Sequence, residues 1–237
     1  MEIIPLGDSA LLVRLSENFS SDPVAALTAV TQAQRRLEAA GIPGVVEYAP
    51  AYDSIAVFFD PLLSCQAGAP PEKISEWLEG KIGLALKQQI RERAKSAALP
   101  AIEIPVCYEG EHAPDLSDVA RQSGLSAREV VRRQSSVEYR VHCVGFVPGF
   151  PYLGGLPHEL ATPRRASPRK RVAPGSVAIG GAQAGIYPVA CPGGWNLIGR
   201  TPLRLFDAGR QPPALLTAGD RVRFQPISKA EFESWPP

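Results

Sequence analysis

GFVPGFPYLGGLP (Gly145–Pro157), ATPRRASPRKRVAPGS (Ala161–Ser176), GGAQAGIYP (Gly180–Pro188) and CPGGWNLIGRTPLRLF (Cys191–Phe206) follow one another with little between them. Proline fixes φ and removes a backbone donor, and glycine admits conformations closed to other residues, so a stretch this rich in both does not form long helices. It reads as short strands joined by individually specified turns. Its charge is equally local. From Leu160 to Phe206 there is no Asp or Glu, whereas Arg164, Arg165, Arg169, Lys170, Arg171, Arg200 and Arg204 all fall inside. The whole chain of 237 residues carries 25 basic and 24 acidic side chains, so this bias predicts a positive surface on a nearly neutral protein.

Working outward, Ile3 to Leu15 alternates as two strands about a Gly7-Asp8-Ser9 turn. Asp22-Pro23 supplies a helix cap and a first-turn proline, Val24, Leu27, Val30, Ala33 and Leu37 repeat at helical spacing, and Gly41 ends the run. Val45–Ala49 and Ser54–Phe59 read as two further strands, the second stopped by Asp60-Pro61. A second long helix is expected from Pro71 to about Lys95, marked by Ile74, Trp77, Leu78, Ile82, Leu84 and Ile90. This order makes a small α+β N-terminal domain, residues 1–97, with the boundary in Ser96–Pro100. The second domain, residues 98–237, opens with a strand at Ile102–Val106 and a turn-rich loop from Tyr108 to Asp115. Two short helices follow, the second opened by a Ser126–Glu129 capping box, and then a strand at Tyr139–Phe146. Strands and turns run on to Phe224, and Ser228–Trp235 reads as a last short helix. Many short strands with brief helices between them fit a β-barrel or a sandwich.

An apolar fraction of 45% with 21% charged residues is that of a soluble globular protein. No apolar run approaches the roughly 20 residues a membrane span needs, and Met1–Pro5 lacks the basic and apolar regions of a secretory leader, so the cytoplasm is the expected compartment and no membrane partner is expected. Cys65, Cys107, Cys143 and Cys191 are far apart, and His112, His142 and His158 are the only histidines, so neither a redox pair nor a metal site is expected.

No segment matches GxxxxGK[ST], and no GxSxG elbow appears. Phe146, Phe150, Tyr152, Tyr187 and Trp195 interleave with the arginines, but a chain of net charge +1 is a poor nucleic-acid binder and none is expected as partner. Guanidinium forks instead suit a small anionic substrate, since they hold a carboxylate or phosphate through paired hydrogen bonds. Arg164 and Arg165 read equally well as a solvated loop, while Arg200, in an expected turn beside Gly199 and Thr201, leans toward a functional role. Phe150, Tyr152 and Trp195 read either as core or as pocket walls.

With these residues in view the chain resembles the small subunit of ATP-dependent 5-oxoprolinase, the family of B subunits or KipI-like proteins, also described as allophanate hydrolase subunit 1. Gly7-Asp8-Ser9-Ala10, Val45-Val46-Glu47 and Tyr52-Asp53-Ser54 carry the likeness early. Pro114-Asp115-Leu116, Val137-Glu138-Tyr139, GFVPGFPYLGGLP, Thr162–Arg164, GSVAIGGAQAGIYP, PGGWNLIGRTPLRLFD and Pro212–Asp220 carry it later. The resemblance implies an α+β N-terminal domain followed by a mainly β cyclophilin-like barrel. It implies two partners, the KipA-like C subunit of the same enzyme together with its A subunit. It further implies the ATP-consuming opening of 5-oxo-L-proline to L-glutamate, with ATP bound in the assembled complex on this or another chain. It points to Arg164, Gln183, Tyr187 and Arg200 as donors to the reacting group, with Phe150, Tyr152 and Trp195 as pocket walls and Gly193 and Gly194 beside them. The family pattern has a histidine where this chain has Gln134, and an amide does not carry protons in the physiological range. Two other activities are implied by the same likeness: a KipI-like inhibitor of a sporulation-type histidine kinase, and the carboxyltransferase half of a urea carboxylase served by biotin on another chain.

Overall fold

Asp22 caps the first helix, its side chain accepting a hydrogen bond from the Ala25 N–H at 2.9 Å. Helix α1 (Pro23–Ala40) then runs to Gly41, which takes the left-handed conformation. Leu27, Val30, Ala33 and Leu37 form its buried stripe, while Val24, in the first turn, stays in solvent. The computed structural model describes residues 1–15, 22–88 and 100–236, and the chain divides into two compact units, Met1–Ala98 and Leu99–Pro237.

In the first unit β1 (Glu2–Pro5), β2 (Ala10–Arg14), β3 (Val45–Ala51) and β4 (Ser54–Phe59) make an antiparallel sheet in the order β1-β2-β4-β3. A short helix α2 (Pro61–Gln66) follows β4, and α3 covers Ile74–Lys87. The far end of the long helix expected to reach Lys95 lies outside the described residues. Because alternate strand residues face opposite ways, Leu11, Val13, Ile55, Val57 and Phe59 all point to one side, where they pack with Val30 and Leu37 of α1 and Leu78 and Ile82 of α3.

The second unit begins with β5 (Ile102–Cys107), α4 (Leu116–Ser123) and α5 (Ala127–Ser135). Ser126 caps α5 by accepting from the Glu129 N–H at 3.2 Å. The reciprocal half of the expected capping box gives way to ion pairing, for the Glu129 carboxylate takes Arg132 and Arg133 instead. Next come β6 (Tyr139–Val144), β7 (Pro151–Gly154), β8 (Arg169–Val172), β9 (Ser176–Gly180), β10 (Gln183–Ile186), β11 (Cys191–Gly193), β12 (Asn196–Arg200), β13 (Arg221–Ile227) and α6 (Lys229–Glu233). Strand β6 is shorter than expected, since Phe146 takes a positive φ of 72° and turns the chain away from the sheet. The strand order β6-β13-β5-β12-β9-β10-β7 closes on itself through β7 pairing back to β6. Closure decides between the barrel and the sandwich, and the one parallel pair, β13 with β5, makes it a mixed barrel. It supports the cyclophilin-like expectation. An antiparallel ribbon of β8 and β11 lies outside the barrel order.

Strand β9 is buried along its whole length. Val177 and Ile179 face the main core with Ile104, Tyr139, Leu153 and Phe224, whereas Ala178 faces a second cluster of Phe150, Val172, Tyr187, Trp195 and Leu197. The two faces of one strand thus serve two cores.

The ribbon is fixed to the barrel by Asp115, 2% exposed and seated just before α4. Its carboxylate accepts from Arg169 at 2.8 Å on both oxygens, from Arg165 at 2.8 Å and from the Leu197 N–H at 2.7 Å. The Asp115 N–H donates in turn to the Leu197 carbonyl at 2.9 Å. Removing one partner of a buried pair strands the other charge. Asp115→Asn is therefore expected to cost about 3–5 kcal/mol, seen as a lower urea midpoint at unchanged slope; an unchanged midpoint would show that the clamp holds nothing.

Candidate functional site

Phe150 is the hub of the second cluster. Its ring stands edge-on to Tyr152 at 5.0 Å, Tyr187 at 5.1 Å, Trp195 at 5.5 Å and Phe146 at 5.7 Å, the arrangement that aromatic quadrupoles favour. Backbone without side chains makes room for the rings. A Cβ on Gly180 would lie 2.4 Å from the Trp195 indole, and one on Gly193 would lie 2.4 Å from the Tyr187 hydroxyl oxygen. Gly193 is thus a packing slot, while the Gly194 carbonyl accepts from the Arg165 N–H at 2.8 Å. Phe146 is the exposed edge of the cluster, with 63% of its surface in solvent and a backbone conformation that a bulky residue rarely adopts. Arg164 is also exposed, its guanidinium 5.9 Å from the Trp195 ring.

The four expected donors occupy different settings. Tyr187 is buried inside the cluster; burial raises the pKa of its hydroxyl, opposed by a backbone hydrogen bond from Trp195, so it stays protonated and is no base. Gln183 is half-buried at the start of β10. Arg164 stands on the rim over Trp195. Arg200 is not in a turn: it ends β12, opposite Cys107 and Ser176. It lines a cleft of about 650 Å³ with Pro174, Pro202, Phe206 and Phe232, and none of the aromatic cluster's residues belongs to that lining. The seven basic residues are likewise not one field. Arg165 and Arg169 share the one carboxylate of Asp115, which offsets one of their two charges, and Arg204 pairs with Asp207 at 3.1 Å. Among the described residues no group of three His, Cys, Asp or Glu is placed to hold a metal ion, and no helix is long and apolar enough to cross a membrane.

The model of the carboxyltransferase domain, subdomains C and D, matches residues 1–216. The B subunit of 5-oxoprolinase from Bacillus subtilis (strain 168) is 39% identical over 240 residues, covering 99% of this chain and 96% of that protein. The chain belongs to the family of 5-oxoprolinase B subunits. The Escherichia coli O157:H7 member is 48% identical over 185 residues, 78% of this chain and 79% of that one. Among solved structures, that of TTHA0988 superposes with a TM-score of 0.76 at 35% identity, covering 96% of this chain but 41% of that longer one.

Within this family setting Gln134 acquires a structural explanation. It is fully buried on α5, its side-chain oxygen accepting from the Tyr108 hydroxyl and its backbone carbonyl accepting from the Tyr139 hydroxyl at 2.9 Å. In this chain the position is a hydrogen-bonding post within the core through its two oxygens, while its buried Nε2 has no hydrogen-bond partner among the described residues.

His112, which no motif singles out, lies beside the Arg200 cleft. Its ring packs 4.3 Å from Phe232, and among the described residues neither buried ring nitrogen has a hydrogen-bond partner. Burial first, and then the charge of Arg200, lower its pKa from the ordinary 6.5. Burial lowers that of His142 as well. A base whose folded pKa lies below its unfolded one binds protons more readily when unfolded, so its contribution is steady above about pH 6.5 and is lost as the pH falls below that value. Thermal midpoints should hold from about pH 8 to 7 and drop toward about pH 5, and His112→Phe should flatten part of that drop; a midpoint that rises on acidification contradicts the assignment.

Proposed function

We propose that this chain is the B subunit of an ATP-dependent 5-oxoprolinase, opening 5-oxo-L-proline to L-glutamate in a complex with the KipA-like C subunit of that enzyme together with its A subunit. What carries the reading is the match to the Bacillus subtilis protein, which runs over 99% of this chain and 96% of that one. A shared domain inside an unrelated protein would leave one of the two largely uncovered.

The chemistry fits a chain that does not act alone. A lactam is a weak electrophile, and ATP supplies the activation of its oxygen. The sequence lacks a GxxxxGK[ST] run, and the Asp115 clamp ties up two of its clustered arginines, so we assign the nucleotide to a partner. This chain contributes positioned donors and a water-excluding wall.

The exposed rim of Phe146 and Arg164 is the surface we assign to the partner. A strained backbone that displays an aromatic ring in solvent is costly for an isolated chain, and aromatic and arginine side chains are the usual anchors of interfaces. The carboxyltransferase family model supports a second reading, transfer of a carboxyl group from biotin held on another chain.

Co-expression with both partner subunits and measurement of ADP released on adding 5-oxoproline separates these readings. Release that depends on 5-oxoproline supports the first; none from an assembled complex rejects it. Arg164→Glu is expected to weaken co-purification with the partner at least about tenfold, roughly 1.4 kcal/mol, while the melting temperature of the isolated chain stays put. Undiminished assembly would remove the rim from the interface.

A further inference from the structure

Arg200 is held in an unusual way for a surface arginine. Its Nε–H donates to the Pro174 carbonyl at 2.9 Å, and its guanidinium carbon lies 5.8 Å from the centre of the Phe232 ring. Two fixed points orient the group, and among the described residues its terminal nitrogens have no hydrogen-bond acceptor and no carboxylate partner within 4.0 Å. It opens into the cleft of about 650 Å³, a volume typical of small-molecule sites. The remaining walls are mostly rigid and apolar, with Pro174, Pro202, Phe206 and Phe232 among them.

The charge of the lining selects the guest. Arg204 also lines the cleft, but it is already paired with Asp207, so one positive charge is left uncompensated. A single cation suits a monoanion and is a poor match for a triphosphate. An oriented fork suits the two oxygens of a carboxylate, and proline and phenyl walls suit a compact, weakly polar body. Protonation of His112, buried behind Phe232, is disfavoured first by burial and then by the charge of Arg200.

We propose that this cleft is the carboxylate subsite for 5-oxoproline, with Arg200 gripping the ring carboxylate; the choice of that acid rests on the function proposed above. The lactam end, which carries no charge, is then left facing away from the guanidinium and available to groups supplied by a partner. Arg200 acts here as a binding residue and moves no proton.

Calorimetry on the isolated full-length chain tests this, with 5-oxoproline, its carboxamide and inorganic phosphate as probes. The expected result is saturable binding of 5-oxoproline, at least tenfold weaker binding of the carboxamide, and no competition by phosphate. Arg200→Gln should lose at least tenfold in affinity, and Arg200→Lys, which keeps the charge without the fork, should fall between; circular dichroism and thermal melts confirm that each variant is folded. Absence of saturable binding, equal binding of the carboxamide, displacement by phosphate, or an unaltered affinity in folded Arg200→Gln would each overturn the proposal. The two proposals fail separately. Binding through Arg200 in a chain whose complex shows no 5-oxoproline-dependent turnover sinks the reaction and leaves the pocket, whereas turnover without such binding does the reverse.

Discussion

Asp115 takes its carboxylate out of water at the start of α4 and gives it four hydrogen bonds from three groups, two guanidiniums from 50 and 54 positions further along the chain and the Leu197 N–H. A bare carboxylate at that depth would be expelled or protonated. Here its oxygens accept bonds from Arg165, Arg169 and β12, so the arrangement is favourable only when ribbon, helix and barrel wall are all in place. The constraint therefore works as a register pin. It sets where β8 lies, and β8 with β11 covers the aromatic cluster by bringing Val172 and Cys191 against it. Without the pin the outer face of β9 has no fixed cover, and the rings lose the surface that excludes water from them.

The aromatic cluster depends on the opposite device, the removal of side chains. Trp195 and Tyr187 approach backbone at Gly180 and Gly193 more closely than any Cβ allows. Aromatic rings in such slots have few rotamers to exchange, so the face they present is rigid. Phe146 continues that face into solvent at 63% exposure. The pairing of a rigid base with one exposed ring and one exposed guanidinium is what distinguishes this rim from the scattered surface leucines of α2 and α3, which lie over no comparable platform.

Much of this architecture is legible along the chain because it is local. Asp22-Pro23 and Gly41 bound α1, and the alternation in Ser54–Phe59 gives β4 to the residue. The same aspartate-proline signature at Asp60-Pro61 also starts a helix, α2, where it reads only as a strand end. The signal was present, but a six-residue helix with Leu62 and Leu63 in solvent has no periodic apolar stripe to announce it. What the sequence conceals is long-range. A run free of acidic residues reads as a positive surface, yet Asp115, from outside the run, pairs with two of its arginines and offsets one of their charges. Arg200 and Arg164 read as one set of donors because they share a motif-rich stretch, and folding sends them to different walls. The twist of Phe146 is hidden for another reason: nothing in a phenyl side chain favours a positive φ, so only tertiary packing holds it there.

The Arg200 cleft shows how a distant, short element shapes a site. Its Phe232 wall belongs to α6, five residues long and held by a capping box in which Ser228 and Glu231 satisfy each other's backbone N–H groups. Lys229 ties the helix to Glu111 at 3.6 Å, and His112 packs under Phe232. Because Arg200 is one of the charges that lower the His112 pKa, an anion seated on Arg200 offsets that influence and moves the imidazole back toward its ordinary behaviour. By reciprocity of linked equilibria, a proton on His112 must then favour the anion to the same degree. The wall, the cation and the buried histidine thus form one coupled unit, with its polarity set by a guanidinium that has no ion-pair partner among the described residues.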